Sequence, residues 1–420
     1  MTQPTRFRWV VAGLLFVASA LSFFDRQVLS VLAPQILKDL RLTNVEYAEA
    51  VSAFTLAYSV MFTVGGRLID LVGTRLGLGI SVAFWTVASL LHAIVQTGPQ
   101  LSAFRFTLGA GEGGCFPGAA KGILEWFPKR ERGLAMGIAT TGGSAIGAVL
   151  APPLIVAASH MAGWRGAFII TGLIGVVWVA AWFLLFRRPT ESRFVNDAER
   201  ALILADRDEP GKASSTTPLP LSHLMTRSEV WGFILTRFLL DPVFYFYMFW
   251  IPQYLSQERG ASLDEIGRLS WIPFLCLGIA SLLGGILSDR LVRRGWAPIR
   301  TRKTIMAGAA FLTPVAILAL YAPSSLWAVG LLGVLMFAHG FWMTNYMTLI
   351  ADVFPASTVA TVVGLSGSAG GLGGFLSSLI IGRVIQASSF APVFIVCGLL
   401  YPIGLAVILL TIRRDSAHAD

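Results

Sequence analysis

Apolar residues fall along this chain in long runs of about twenty, separated by short polar loops; they do not follow the alternation of a half-buried strand. The first run, from about Trp9 to Val31, is long enough at ~1.5 Å per residue to cross a hydrocarbon core of about 30 Å. Twelve such runs are found, at 9–31, 47–69, 77–96, 100–122, 134–157, 165–186, 229–255, 264–287, 303–321, 326–350, 359–383 and 390–412. One polar stretch is longer than the others, Arg187 to Ser228. It carries charges early and Ser214, Ser215, Thr216 and Thr217 late, and reads as a partly helical, partly flexible connection. The pattern predicts an all-α integral membrane protein with twelve transmembrane helices in two halves of six, 1–186 and 229–420, joined by a linker at 187–228. An even number of crossings puts both termini on one side.

Composition agrees: 55% of the 420 residues are hydrophobic and 13% charged, which excludes an ordinary soluble globular protein. A net charge of +9 spread evenly would suit nucleic acid, but the basic residues gather in alternate loops, which points to membrane orientation and to no nucleic-acid partner. With the N-terminus inside, 22 Lys and Arg lie in inner segments against six at outer positions, Lys38, Arg41, Arg165, Arg259, Arg268 and Arg383. Both termini are therefore expected in the cytoplasm. Arg6 and Arg8 before an apolar run resemble a signal peptide, but the run is too long and charged in its middle, so it reads as a retained first span. Cys115, Cys276 and Cys397 lie in apolar segments and predict packing, not disulfides or zinc. There is no HExxH, GxSxG or Walker sequence, and the five histidines are scattered, so neither an enzyme nor a metal site is expected.

Charges inside the runs change the picture. Asp25 and Arg26 stand side by side in SALSFFDRQVLSVLAP, midway along the first span. Each costs roughly 2.5–3.5 kcal/mol there unless it faces protein or a watery cavity. The pair marks an ion or substrate route, or else a structural ion pair between helices. In the fourth span Arg105 and Glu112 are seven apart, so both project to nearly one face, about 10 Å apart along the axis. Arginine keeps its charge, whereas a carboxylate withdrawn from water takes up a proton more readily. One helix face then offers a fixed cation and a titratable acid, the parts needed to couple a proton to an anion. Gly109 to Gly114 form a GxGxxG, but no strand precedes it, so close packing through Gly109 and Gly113 is the better reading. Gly367, Gly370, Gly371 and Gly374 can do likewise in the eleventh span.

The halves also repeat one another. Gly66-Arg67-Leu68-Ile69-Asp70 leads on to Arg75 after the second span, and Gly285-Ile286-Leu287-Ser288-Asp289-Arg290 follows the eighth, 219 positions later. Each glycine permits a close helix approach. Asp70 and Asp289 are placed to cap the next helix and to hold inner-face arginines, Arg75 and Arg290, in one state of a gate.

With these motifs the chain resembles the major facilitator superfamily, whose loop signature is GxxxD followed by basic residues in both halves. A second signature, Pro128-Lys129-Arg130-Glu131-Arg132-Gly133, follows the fourth span. The resemblance implies two pseudo-symmetric six-helix bundles rocking about a central cavity. Asp25-Arg26, Tyr58 and Arg105 with Glu112 are similar to one branch, the anion:cation symporters. That branch implies Arg26 and Tyr58 as substrate ligands, Asp25 and Glu112 as proton carriers, and Arg105 as the group that orients Glu112. A lone tyrosine in a span also serves as an interhelical hydrogen bond. In the second half, Asp241 to Pro252, His339 to Asn345 and Thr361 to Gly367 resemble bacterial hexuronate permeases. A sugar acid needs one cation for its carboxylate and neutral or aromatic groups for its hydroxyls and ring face. Tyr245, Tyr247, His339, Asn345, Ser366 and Ser368 are the supply, while Arg237 and Asp241, four apart, read as a local structural pair.

The resemblance thus implies proton-coupled symport of a small organic anion, foremost a hexuronate such as galacturonate or glucuronate, across the bacterial inner membrane. The alternatives are symport of an aldonate or aldarate, or exchange of organic anions and phosphate esters, with sodium coupling left open. No cofactor beyond the coupling proton is expected, the lipid bilayer is the surrounding partner, and the chain is expected to act as a monomer.

Overall fold

The structure, a computed structural model, describes residues 3–205 and 221–412. The serine and threonine run at 214–217 and the terminal Arg413 and Arg414 lie outside the described residues. Lipid offers no partner to a free N–H or C=O, so an apolar run must close its own hydrogen bonds as a helix. Accordingly the described residues form helices and no strand: α1 Phe7–Leu40, α2 Asn44–Val72, α3 Thr74–Leu91, α4 Gly98–Glu112, α5 Cys115–Trp126, α6 Lys129–Met136, α7 Gly143–Leu185, α8 Asp197–Ala205, α9 Leu221–Leu224, α10 Ser228–Arg259, α11 Leu263–Leu269, α12 Ile272–Arg293, α13 Pro298–Leu312, α14 Ser325–Val353, α15 Ala356–Ala387 and α16 Ala391–Thr411.

Ten stretches among the described residues are long and apolar enough to cross a membrane. One of them, Lys129–Leu185, has 57 residues, far more than one crossing needs, and the chain turns within it at Gly163, whose φ of 68° combined with ψ of 176° suits glycine alone. The expected fourth span is broken at Gly113–Gly114 into α4 and α5, and the expected ninth passes from α13 into a 3₁₀ stretch, Thr313–Tyr321. Counting the second arm of α7 and the α4–α5 pair restores the twelve crossings. The protein is a multi-pass membrane protein. Apolar side chains such as Val60, Val87, Val177, Leu282 and Ile380 stay exposed, as spans set in lipid allow.

By packing, the chain divides into two units. One takes the residues up to Leu42 and from Ala53 into the central connection; the other takes Thr43–Ser52 and the rest. Within the first, α1 packs on α7, and α3 on α4 and α7; within the second, α10 packs on α15 and α16, and α13 on α14 and α16. The same plan is thus used twice, as the repeated loop motif implies. The three cysteines are free.

The start of α1 is tied down from outside the helix. Arg6, its N-cap, is left-handed at φ 60° and gives no side-chain cap. Glu199 of α8 fills that role, accepting from the Phe7 N–H at 2.9 Å, the Arg8 N–H at 3.1 Å and the Arg8 guanidinium at 2.9 Å. Arg8 also pairs with Glu131 of α6 at 2.8 Å, which joins the beginning of α1, the α5–α6 turn and α8. Burial pushes the Glu199 carboxyl up, but the donors from Thr5, Phe7 and Arg8 outweigh it and hold the group below the ordinary carboxylate range.

Candidate functional site

Neighbouring positions on a helix point about 100° apart, so Asp25 and Arg26 leave α1 in different directions and find different partners. Arg26 turns toward α4 and α2. Its Nε donates to Glu112 Oε2 at 2.7 Å, and its guanidinium lies 4.3 Å from the Tyr58 ring centroid, 4.9 Å from Phe23 and 5.4 Å from Phe54. Ser22, one turn earlier, donates to the same Oε2 at 2.9 Å and accepts from Arg26 Nη2 at 3.3 Å. Glu112 Oε1 is buried and has no hydrogen-bond partner among the described residues. Asp25 turns instead toward α3, where Ser89 Oγ donates to Oδ1 at 3.0 Å.

Glycine brings these groups together. A Cβ at Gly109 would stand 2.3 Å from the Phe54 carbonyl oxygen, one at Gly113 2.6 Å from Met61 Cβ, and one at Gly111 2.7 Å from Trp85 Cβ. Thus α4 is wedged between α2 and α3, and the GxGxxG serves helix packing as expected. Glu112 is the last residue of α4, at the break, within reach of α1. Arg105 is fully buried two turns back, 5.9 Å from the Phe54 ring, and acts on Glu112 electrostatically. The hydrogen bonds that hold the carboxylate come from Ser22 and Arg26.

In the second unit the expected polar residues are less gathered. His339 of α14 stacks on Phe244 of α10 at 5.2 Å and hydrogen-bonds the Tyr401 hydroxyl of α16. Asn345 gives Nδ2 to the Phe341 carbonyl of its own helix at 2.9 Å and keeps a buried Oδ1 without a partner among the described residues. Ser366 donates to its own helix at Val363, Tyr245 is half-buried and parallel to Phe249, and Ser368 is exposed. Tyr247 is wholly buried against Phe394. Arg237 and Asp241 form the expected local pair, with three bonds of 2.6 to 2.8 Å. Gly370 of α15 presses against Asp241, and Gly373 against the Phe238 carbonyl, whereas a Cβ at Gly367 would meet nothing within 4 Å. The close approach in that helix therefore sits at 370 and 373, and Gly367 plays no part in it.

The loop motifs need correction. Neither aspartate caps the following helix: the N-caps of α3 and α13 are Gly73 and Ala297, without side-chain cap bonds. Asp70 still belongs to the last turn of α2 and pairs with Lys121 of α5 at 3.0 Å. Gly73, at φ 86°, turns the chain so that Arg75 points elsewhere, to the Phe183 carbonyl near the end of α7 at 2.8 Å. In the second unit Asp289 faces Arg302 at 3.9 Å, Arg302 pairs more closely with Asp352 at 3.1 Å, and Arg290 is exposed. Gly66 does allow a tight approach, 3.3 Å to Pro117, while Gly285 has only ordinary contact and the neighbouring Gly284 makes the close one, 3.2 Å to the Phe341 backbone.

Sequence reasoning missed Ser22, Ser89, Lys121 and Tyr401. Ser22 had a signal, since it lies four before Arg26 on one face. The others become partners only through tertiary packing.

A family model described as Major Facilitator Superfamily matches residues 15–378 and 255–420. The chain is 30% identical over 412 residues to the hexuronate transporter of Escherichia coli strain K12, covering 98% of this chain and 95% of that protein. It is 29% identical over 400 residues to the D-galactonate transporter of Escherichia coli O6:H1, covering 94% and 93%. Among solved structures, a bacterial homolog of the human lysosomal transporter Spinster, inward-facing and occupied, matches with TM-score 0.74 at 19% identity over 98% of this chain and 96% of that one. The xylose transporter XylE from E. coli, inward open, matches with TM-score 0.72 at 13% identity over 97% and 96%. At such identities the structural likeness speaks for the fold alone.

Proposed function

The chain belongs to the major facilitator superfamily, and on that premise we propose that it is a proton-coupled symporter of a sugar acid, foremost a hexuronate such as galacturonate or glucuronate, in the bacterial inner membrane. The observation that carries the reading is the Arg26–Glu112 pair: a permanent cation held by a titratable acid whose other oxygen is buried and has no partner among the described residues. A proton on Glu112 Oε1 removes the charge that Arg26 neutralises. Arg26 is then free for a substrate carboxylate, and substrate release returns it to the ionised acid. Proton and anion thereby favour each other's binding through one shared cation, as linkage requires. Tyr58, whose ring the guanidinium lies over, is assigned with Arg26 to the substrate. Tyr245, His339, Asn345, Ser366 and Ser368 are assigned to the sugar hydroxyls; the unpartnered Asn345 Oδ1 is the best supported of them.

The excess of Lys and Arg in alternate loops supports cytoplasmic termini. On this reading 1–186 and 229–420 are the two moving halves, and the Asp70–Lys121 and Asp289–Arg302 contacts belong to the inner gates. The relatives named for hexuronate and galactonate transport support the substrate class. Uptake of labelled glucuronate into proteoliposomes, with and without an imposed inward proton gradient, tests the proposal. Accumulation above equilibrium only with the gradient is expected, and equal uptake in both arms removes the coupling. Thermal-shift ranking of uronates against aldonates and aldarates separates the substrate classes.

A further inference from the structure

We propose that Ser89 on α3 and Thr171 on α7 are positioning residues for Asp25, forming a two-hydroxyl chain in which Ser89 turns its hydrogen from Asp25 to Thr171 as that carboxyl gains a proton and back as it loses one. The inference rests on the reading of Asp25 as a proton carrier. Asp25, Ser89 and Thr171 are 4%, 2% and 3% exposed. Ser89 Oγ donates to Asp25 Oδ1 at 3.0 Å, stands 3.5 Å from Thr171 Oγ1 in a contact either oxygen can donate, and Thr171 Oγ1 donates to the Phe168 carbonyl at 3.1 Å. The approach of the two helices is built in: a Cβ at Gly172 would stand 2.5 Å from Leu90, and one at Gly175 2.5 Å from Thr86 Oγ1.

A hydroxyl carries one hydrogen and two lone pairs. An ionised Asp25 only accepts, and the Ser89 hydrogen is given to it. A protonated Asp25 becomes a donor, and Ser89 Oγ is within hydrogen-bond reach of it. Ser89 then swings its hydrogen to Thr171 Oγ1, whose own hydrogen remains on the Phe168 carbonyl. Every donor finds an acceptor in both states, and only hydrogens rotate. A buried carboxyl without this pair would be left with an unmet donor or acceptor in one state or both. The charged groups that act on Asp25 come from α4, Arg105 and Glu112; α3 and α7 contribute hydroxyls. Glu112 differs, because a fixed cation at its side favours one charge state.

The test measures proteoliposome uptake of labelled glucuronate against external pH for the wild type, Asp25→Asn, Ser89→Ala, Ser89→Thr and Thr171→Val, with exchange of internal for external substrate at fixed pH as control. Ser89→Ala is expected to displace the pH of half-maximal uptake by about one unit, the difference in worth between a hydrogen bond to a charged carboxylate and one to a neutral carboxyl. Thr171→Val should displace it by less, Ser89→Thr should restore the wild-type profile, and exchange should persist in these three hydroxyl variants. Should Ser89→Ala not assemble, Thr171→Val, which keeps the side-chain shape, decides. An unmoved profile in the hydroxyl variants, together with loss of that pH dependence in Asp25→Asn, overturns the inference. A wild-type profile in Asp25→Asn overturns the proton role of Asp25 and the inference with it.

Discussion

Each unit buries an arginine–carboxylate pair, and the two pairs are built differently. Arg237 and Asp241 are one turn apart on α10; the guanidinium engages both carboxylate oxygens, and α15 closes over them at Gly370. Arg26 and Glu112 are 86 positions apart on separate helices; one carboxylate oxygen takes every bond and the other takes none among the described residues. The first arrangement is complete in itself and has no reason to exchange partners. The second leaves one oxygen of its acid without a bond among the described residues, which is the position the proposed proton would take. A buried pair therefore announces function less by its charges than by what it leaves unbonded.

The comparison breaks most sharply at the arginines. Arg26→Ala is expected to lower substrate binding and uptake at least about a hundredfold, the scale of losing a charged partner, whereas Arg237→Met with Asp241→Leu should keep both. Isothermal titration and uptake check this, and normal affinity in Arg26→Ala erases the distinction. Glu112→Gln comes next. It should end gradient-driven accumulation while exchange across the membrane continues, as read by counterflow; continued accumulation moves the coupling role elsewhere. In the second unit the effect falls on stability. Arg237→Ala alone strands Asp241 and should cost about 3–5 kcal/mol, while the apolar double replacement regains most of it. Thermal melting of the purified variants decides, and an undisturbed Arg237→Ala would show that the pair is not structural.

The smallest effect lies outside the spans, where Arg8 shares itself between Glu131 and Glu199. Glu199→Gln should cost about 1 kcal/mol through the weakened cap of α1. Because Glu199 is held below the ordinary carboxylate range, its contribution is full above the unfolded-state value and is lost as pH falls through the lowered folded value. The melting difference between wild type and Glu199→Gln should therefore close on acidification. A difference constant with pH excludes the charged cap.

Much of the site was legible as residues, and little as geometry. Asp25, Arg26 and Glu112 stood out because charge in an apolar run is costly, and Arg237–Asp241 was readable because a spacing of four fixes its own neighbour. That Arg26 would take Glu112 while its chain neighbour took Ser89 was not readable, since it depends on how three helices are rotated about their axes. Asp70 shows the same limit: its motif marked the right turn, but its partner, Lys121, belongs to another helix.

The sequence by itself determined that the chain crosses a membrane, how often, and that its two halves repeat. Each of these follows from a local rule: a run of apolar residues in lipid has no solution but a helix. Tertiary structure alone decided which oxygen of Glu112 is left without a bond, where α4 breaks and where α7 turns back. Such matters are settled by close contact between segments far apart in the chain, and short-range spacing carries no record of them.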